Sequence, residues 1–308
     1  MTSNRRRIAV IGLGQIGGSL AAALGTASAP RTASALEAGG DRRRDDGTVS
    51  VTGYDRDPAV AAEALRRGVI DKDARSPSAC ADGADIVVLA VPVREIIRLI
   101  PDVAGVMLPG SVLLDTGSTK RSVVDAMNAC PGEARCFGGH PIAGDEKSGA
   151  DSWDGRLFLR KTYVVTPTTS SDAVSRSEVE WLVTTIGAHS HSMDAAEHDR
   201  VMAATSHLPL LLAGGLVELA GMTTPNMEQL GDLIGGSFSS ATRVTQKPAA
   251  MTTDILFTNH DQLSEAYDAF DRKMRRALGV LREDPDVFAS RLSDLRDMRR
   301  QIVSGDKS

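Results

Sequence analysis

The sequence predicts an α/β protein in which a doubly wound parallel sheet is followed by an all-helical domain. Short runs rich in Val, Ile and Leu recur between helical patterns over roughly the first 167 residues: RIAVIG, TVSVTGY, DIVVLAV, SVLLDT and TYVVTP. Their uniformly apolar character is typical of parallel strands that are buried on both faces. From Glu197 onward, apolar residues recur at three- and four-residue spacing, which indicates helices.

The 308 residues are enough for two domains. We predict a sheet domain over residues 1–194 and a helical domain over residues 195–308. The extended run at 187–193 follows a helical pattern and is predicted to complete the last unit of the sheet domain. Residues 25–48, rich in Ala, Gly, Ser and Arg, are predicted to form a polar insertion in a loop.

Charge and cysteine content narrow the class of protein. Lys and Arg sum to 35 against 40 for Asp and Glu, so no positive excess is available to hold a polyanion, which argues against nucleic acid as the main partner. Three cysteines are too few for a disulfide framework or a zinc cluster, which fits a reducing compartment.

The amino terminus imitates a secretory signal, because Arg5, Arg6 and Arg7 precede an apolar stretch and small residues. The spacing of the glycines inside that stretch instead indicates a nucleotide-binding strand and helix. No other segment reaches the roughly 18 uninterrupted apolar residues of a membrane span. We therefore expect a soluble cytoplasmic protein that does not bind membranes.

A glycine motif follows the first predicted strand. IAVIG runs directly into Gly12, Gly14 and Gly17, and the helical run SLAAAL comes next. In a Rossmann-type fold the first glycine permits a tight turn, the second lets a pyrophosphate approach the backbone, and the third lets helix and strand pack closely. Strand before and helix after favour a dinucleotide site over a plain glycine turn, with Gln15 and Ile16 in the same loop.

An acidic residue is expected at the end of the second strand, where it binds the ribose hydroxyls of the cofactor. Asp55 occupies this place, and its carboxylate favours NAD over NADP. Arg56 is a counter-signal, since a guanidinium there accommodates the additional phosphate of NADP. The alternative is that Asp55 and Asp57 only cap the helix that begins after Pro58.

Three further segments end at the same edge of the predicted sheet, where open α/β sheets bind their ligands. Val91 and Pro92 follow one strand, DTGST at 115–119 follows another, and His140 lies in a turn rich in Gly and Pro. At this edge His140 is a candidate general base, the alternative being a turn histidine that bonds its own backbone. His198 and Asp199 form too small a set for a metal site and are interpreted as part of helix capping, so no metal is predicted.

The motifs DTGSTK, GGHPIAGDEKSG and EHDRVMAATSHLP, with an arginine a few turns later, make the chain similar to the prephenate and arogenate dehydrogenases of tyrosine biosynthesis. The resemblance covers almost the whole chain. It implies NAD-dependent oxidative decarboxylation of prephenate to 4-hydroxyphenylpyruvate. Hydride leaves the ring carbon that bears the 4-hydroxyl, the ring carboxylate departs as carbon dioxide, and aromatisation drives the reaction.

The resemblance also implies roles for individual residues. His140 matches the catalytic histidine that accepts the hydroxyl proton, and Ser118 matches the serine that orients the ring. His207 matches a histidine that lines the substrate pocket, and Arg243 matches the arginine that holds a substrate carboxylate. Glu146 takes the place of an acidic residue near the entrance of the site, or is an exposed loop carboxylate.

Other readings of these residues remain open. Ser118 is also a candidate N-cap for a helix starting near Thr119. His207 is alternatively a core histidine packed in the kink that Pro209 produces in the helix predicted at 197–220. Arg243 is alternatively one of the many surface arginines.

Departures from the family pattern leave the substrate open. Ser239 stands where relatives often carry Lys or Arg, and Pro248 lies one residue earlier than usual. Arogenate and 4-amino-4-deoxyprephenate therefore remain alternative substrates. Further alternatives are a β-hydroxyacid dehydrogenase, which would rely on Lys247, and a non-catalytic NAD sensor. The apolar stripes of the helical half predict a homodimer.

Overall fold

The computed structural model describes residues 5–27, 49–130, 132–145, 147, 149–223 and 226–304. Most of the predicted polar insertion at 25–48 lies outside the described residues. Its first three residues, 25–27, belong to the first helix and are not part of a loop.

Eight strands form one sheet in the order β3-β2-β1-β4-β5-β6-β7-β8. Their bounds are β1 Arg6–Ile11, β2 Val49–Tyr54, β3 Lys72–Asp73, β4 Ile86–Leu89, β5 Val112–Asp115, β6 Arg135–Pro141, β7 Thr162–Pro167 and β8 His189–Ser192. The strand order reverses between β1 and β4, as in doubly wound sheets that bind a ligand at this switch point. The predicted fold class is confirmed.

One strand departs from the predicted parallel arrangement. β7, the run TYVVTP, pairs antiparallel with β6 and parallel with β8. A parallel return normally needs a crossover helix. Among the described residues between β6 and β7, the only helical element is the 3-10 turn Ala150–Ser152. The chain therefore re-enters the sheet in the opposite direction.

Helices cover both faces of the sheet. Those of the sheet region are α1 Gln15–Ala27, α2 Pro58–Arg66, α3 Pro77–Ala81, α4 Val93–Ala104, α5 Arg121–Asn128 and α6 Ala173–Thr185. Side chains alternate between two apolar cores along β1, with Ile8 and Val10 in one core and Ala9 and Ile11 in the other. This double burial explains why the predicted strands read as continuous apolar runs.

The rest of the described chain is helical. It comprises α7 Ala195–Met202, α8 Leu208–Gly221, α9 Met227–Leu233, α10 Gly236–Thr242, α11 Ala249–Thr258, α12 His260–Glu283 and α13 Pro285–Ser304. A π-helical segment, Ala203–His207, joins α7 to α8, and Pro209 lies in the first turn of α8. A wider turn before Pro209 accommodates the missing N–H and the bulk of its ring.

Internal contacts divide the chain into two compact units, Met1–His260 and Asp261–Ser308. The first unit holds the sheet together with α7 to α11, because α7 packs on α5 and α11 packs on α4. The division predicted at 194/195 falls at the start of α7 and stays a prediction. Within the described residues, one helical stretch, Ala195–Gly221, is long and apolar enough to span a membrane by length and composition alone.

Candidate active site

The glycine loop between β1 and α1 is shaped for a dinucleotide. Gly12 has a φ of 93°, in the left-handed region, and a Cβ there would overlap the carbonyl oxygen of Ala90. A Cβ on Gly17 would overlap the carbonyl oxygen of Gly12. A Cβ on Gly14 would meet no atom within 4 Å. Gly12 and Gly17 therefore close the turn, while the face at Gly14 is open to a pyrophosphate.

Asp55 follows β2 and is tied to the glycine loop. Its Oδ2 accepts a hydrogen bond from the Leu13 N–H at 2.8 Å, and its Oδ1 accepts one from the Asp57 N–H at 3.0 Å. Asp57, in contrast, caps α2 by accepting from the Ala59 N–H. Asp57 therefore fills the capping role, whereas Asp55 holds the glycine loop at the end of β2.

The start of α1 also contacts the segment after β6. Gln15 exchanges hydrogen bonds with Asp145 through its side-chain amide. A Cβ on Gly144 would lie 3.2 Å from Gln15 Oε1 and 3.3 Å from Ile16 Cδ1. Both residues predicted for the cofactor loop therefore lie against the chain that leaves His140.

Val91 and Pro92 follow β4 beside the glycine loop, as predicted. A Cβ on Gly12 would come within 2.6 Å of Val91 Cγ1, so the two segments are in close contact. Pro92 is exposed and precedes the first residue of α4. Arg56 is also exposed, and its charge helps to lower the pKa of Glu95 after the larger effect of Arg98.

A buried carboxylate fixes the ends of β5 and β6. Asp115 Oδ1 accepts from the Gly139 N–H at 2.8 Å, and Oδ2 accepts from the Gly117 N–H at 2.7 Å and from Lys120 Nζ. Asp115 and Lys120 are both fully buried. Burial lowers the pKa of Lys120, against the opposing effect of Asp115. This cluster sets the position of the residue that follows Gly139, which is His140.

His140 lies inside β6, one residue before its end, and not in a turn as predicted. Its side chain joins a chain of three residues. His140 Nδ1 lies 2.9 Å from His198 Nε2, and His198 Nδ1 lies 2.8 Å from Asp199 Oδ1. His198 and Asp199 are fully buried, whereas His140 is half-buried.

Asp199 is held by the start of α5. Its Oδ1 accepts from the Lys120 N–H at 2.7 Å, and its Oδ2 accepts from the Arg121 N–H at 2.9 Å. Burial alone would raise the pKa of Asp199, but hydrogen bonds from His198 and from these two N–H groups outweigh it and lower the pKa. Asp199 is therefore a carboxylate at neutral pH.

His140 is held neutral by its surroundings. Burial lowers its pKa well below the usual value, and the nearby ionisable side chains of His198, Lys120, His207 and Lys247 add to the effect. A neutral imidazole has a free lone pair and can accept a proton.

His207 is buried at the end of the π-helical segment. Its Nδ1 lies 3.1 Å from Asn259 Nδ2, which also donates to the carbonyl oxygen of Asp199 at 2.7 Å. Burial lowers the pKa of His207 to about 4. Because Nδ1 accepts from the amide, Nε2 carries the hydrogen, and this buried N–H has no partner among the described residues. A substrate oxygen is a suitable acceptor for it.

For the remaining predicted site residues, the structure gives the position in the chain and the exposure. Ser118 is half-buried in the turn between β5 and α5. It is not the N-cap of α5, since that helix starts at Arg121 and receives its cap from Asp199. Arg243 is exposed at the start of the 3-10 turn Arg243–Gln246, one turn before Lys247. Glu146 lies outside the described residues.

Sequence reasoning missed His198, Asp199 and Asn259 as members of the site. The interpretation of Asp199 as a capping residue was right in kind, but the capped helix is α5, far away in sequence. Asp194 is the residue that caps α7 itself. Within the described ranges no group of three or more metal-ligating side chains is arranged around a metal site.

A dinucleotide loop at the switch point of a doubly wound sheet, with a neutral histidine at the same edge, defines an NAD-dependent oxidoreductase. The family model "Prephenate dehydrogenase, nucleotide-binding domain" matches residues 38–192, and "Prephenate dehydrogenase, dimerization domain" matches residues 194–294. The chain belongs to the prephenate dehydrogenase family.

Individual relatives agree with this membership. The prephenate dehydrogenase of Bacillus subtilis is 30% identical over 89% of this chain and 70% of its own length. A 4-amino-4-deoxyprephenate dehydrogenase of Streptomyces pristinaespiralis is 32% identical over 56% of each chain. The crystal structure of prephenate dehydrogenase from A. aeolicus in complex with hydroxyphenyl propionate and NAD+ has a TM-score of 0.85 and 25% identity, covering 98% of this chain and all of that one.

Proposed function

We propose that the protein oxidises prephenate with NAD and that His140 is the catalytic base. The observation that carries the assignment is the neutral, half-buried His140 near the end of β6, with Nδ1 occupied by His198. The segment that follows it contacts Gln15 and Ile16 of the cofactor loop. Gly12, Gly14 and Gly17 are proposed to hold the pyrophosphate, and Asp55 the ribose. Bound NAD supplies the acceptor for the hydride.

The proton balance of this reaction assigns His140 two tasks. As hydride leaves the ring carbon, the hydroxyl proton moves to His140 Nε2 and the electrons of the O–H bond form a carbonyl. Loss of carbon dioxide then sends an electron pair through the ring to that oxygen, which takes the proton back from His140. The ring becomes a phenol with no net proton release. One histidine thus acts as base and then as acid.

The substrate carboxylates are assigned to the helical elements. Arg243 is proposed to hold a carboxylate, because a planar guanidinium suits that group. Lys247 lies one turn away. His207 is proposed to donate its buried Nε2–H to the substrate, and Ser118 to orient the ring. Glu146 is proposed to lie near the entrance.

A second candidate substrate is 4-amino-4-deoxyprephenate. The relative from Streptomyces pristinaespiralis favours it, and so does Ser239, which removes one cation from a position that is often basic in the family. Arogenate differs from prephenate only in the side chain and stays a further alternative. A β-hydroxyacid dehydrogenase is disfavoured, because the two family models that match the chain are those of prephenate dehydrogenase.

One assay tests these assignments. The purified protein is incubated with NAD and each of prephenate, arogenate and 4-amino-4-deoxyprephenate, and NADH absorbance and product mass are recorded. We expect the highest kcat/KM with prephenate and release of 4-hydroxyphenylpyruvate. Turnover of 4-amino-4-deoxyprephenate alone would make that compound the substrate. A preference for NADP would contradict the proposed role of Asp55 as the ribose ligand of NAD. No turnover of any compound would support a non-catalytic NAD sensor.

We also propose a cytoplasmic homodimer with its cofactor domain at 1–194 and its helical domain at 195–308. The family description of the second domain as a dimerization domain supports the dimer. The stretch Ala195–Gly221 is assigned to the soluble protein, since His198, Asp199 and His207 on it are buried in the polar network of the site. No nucleic acid or membrane partner is proposed.

A further inference from the structure

We propose that His198 and Asp199 are positioning residues that hold His140 in the tautomer able to take a proton from the substrate. The inference rests on the proposed role of His140 as base. It concerns two residues that do not themselves touch the substrate.

Asp199 is a carboxylate fixed by backbone hydrogen bonds. Both carboxylate oxygens receive backbone N–H groups, from Lys120 and Arg121, at the start of α5. A helix start carries partial positive charge and favours an anion. The carboxylate is therefore fixed in place and acts only as an acceptor toward His198.

The contacts from Asp199 through His198 to His140 determine which ring nitrogens carry hydrogens. Because Asp199 only accepts, His198 Nδ1 must carry the hydrogen of their 2.8 Å contact. In neutral His198, Nε2 is then a lone pair. The 2.9 Å contact between this nitrogen and His140 Nδ1 is a hydrogen bond only if His140 Nδ1 carries a hydrogen. Neutral His140 consequently has its lone pair on Nε2.

Burial strengthens the hydrogen bonds that join Asp199 to His198 and His198 to His140. His198 and Asp199 are fully buried, so water does not compete for these contacts. The rings of His140 and His198 meet edge to face, at 5.1 Å between centroids and 72° between planes, so the hydrogen bond also limits rotation of His140. When His140 takes the proton, its Nδ1–H bond to His198 strengthens, and Asp199 stabilises the positive charge through the second ring. A carboxylate that orients a catalytic imidazole in this way is known from serine proteases.

The direct test determines the tautomer of His140 in the protein that carries no substitution. The protein with bound NAD, labelled with ¹⁵N in its six histidines, is studied by NMR near neutral pH, and His140 is assigned by the signals lost in His140→Asn. We expect Nδ1 of His140 to be protonated and Nε2 to be unprotonated. The opposite tautomer, or a mixture of both, overturns the proposal. This readout does not depend on the identity of the substrate, so it can fail while prephenate turnover succeeds, and the reverse.

Two matched variants test the kinetic consequence. His198→Gln places an amide oxygen near the former Nε2 position, with its NH₂ group facing Asp199, whereas His198→Met has a similar length but no strong acceptor. Because proton transfer belongs to the transition state, we expect Met to lower kcat by roughly 100-fold or more with little change in either KM. Gln is expected to retain kcat within about tenfold.

The stability of both variants is measured by thermal unfolding, and kcat is expressed per folded enzyme. The expected pattern is mixed His140 tautomers in His198→Met and the native tautomer in His198→Gln. Equal kcat values for the two variants, with the native tautomer in both, would show that His198 only fills space and would overturn the proposal.

Discussion

His140 is surrounded by groups that oppose its protonation. Burial lowers its pKa well below the usual value, and the nearby ionisable side chains of His198, Lys120, His207 and Lys247 add to the effect. A base with a lowered pKa stays neutral to a lower pH, so activity should persist as the pH falls to 6.5 and decline only below it. We expect the acidic limb of the kcat/KM profile there, since this limb reports the free enzyme. An acidic limb centred above 6.5 would contradict the neutral base.

Removing the base should separate chemistry from cofactor binding. His140→Asn is expected to lower kcat by about 10²- to 10⁴-fold, the usual contribution of a positioned general base. The dissociation constant of NAD, measured by fluorescence titration, is expected to stay unchanged, because the glycine loop is intact. A loss of less than tenfold, about 1.4 kcal/mol, would refute the role of His140 as base.

Arg243 offers a test of anion binding. Arg243→Ala should raise the KM for prephenate by roughly 10-fold or more, since a charge-assisted hydrogen bond to a carboxylate contributes about 1.5–3 kcal/mol. The KM for NAD should change little. Arg66→Ala, which removes an exposed guanidinium from the end of α2, is the control. Equal effects of Arg243→Ala on both KM values would place Arg243 outside the substrate site.

Residue types at strand ends were predictable, and contacts across the fold were not. The motifs alone placed Gly12, Asp55 and His140 at one edge of the sheet. Nothing in the local sequence shows that Asp199 caps α5, because donor and acceptor are 78 residues apart. Likewise, an Asn259 that donates to His207 across 52 residues leaves no short-range pattern.

At the scale of elements, the glycine loop gives a matched pair of variants. Gly17→Ala should destabilise the fold, because its Cβ would overlap the Gly12 carbonyl where α1 packs on the loop. Gly14→Ala should fold normally, because its Cβ enters open space, yet it should weaken NAD binding by intruding where the pyrophosphate lies. Thermal unfolding and NAD titration separate the two effects. If Gly14→Ala bound NAD with wild-type affinity, the pyrophosphate would not lie next to Gly14.

The π-helical segment Ala203–His207 changes the helical phase between α7 and α8. His198 and His207 are nine residues apart, which is about two and a half turns of an α-helix and would place them on opposite faces. The wider turn at Ala203–His207 shifts this phase. Both histidines are buried and linked to Asp199, His198 through the Asp199 carboxylate and His207 through Asn259, which donates to the Asp199 carbonyl oxygen. Pro209 indicated an irregularity but not its direction.

For the whole molecule, the prediction is a homodimer through the helical half. Many large apolar side chains of the helical region are exposed in the single chain, including Leu219, Met222, Leu278 and Ile302. The matching family model describes this region as a dimerization domain, so we expect a second copy to cover these side chains. Sedimentation velocity at micromolar concentration should give about twice the mass of the 32.5 kDa chain. A monomer at that concentration would refute the dimer.

The hydrogen bonds from Lys120 and Arg121 to Asp199 join the predicted cofactor domain to the predicted helical domain. A fragment ending at residue 194 would keep the glycine loop but expose the first turn of α5 and leave His140 Nδ1 to water. Adding the separate helical half to such a fragment should restore activity only when α7 docks on α5. Exchange of either predicted domain for that of another protein would therefore have to preserve this contact, because residues on both sides of it form the hydrogen-bonded chain that ends at His140.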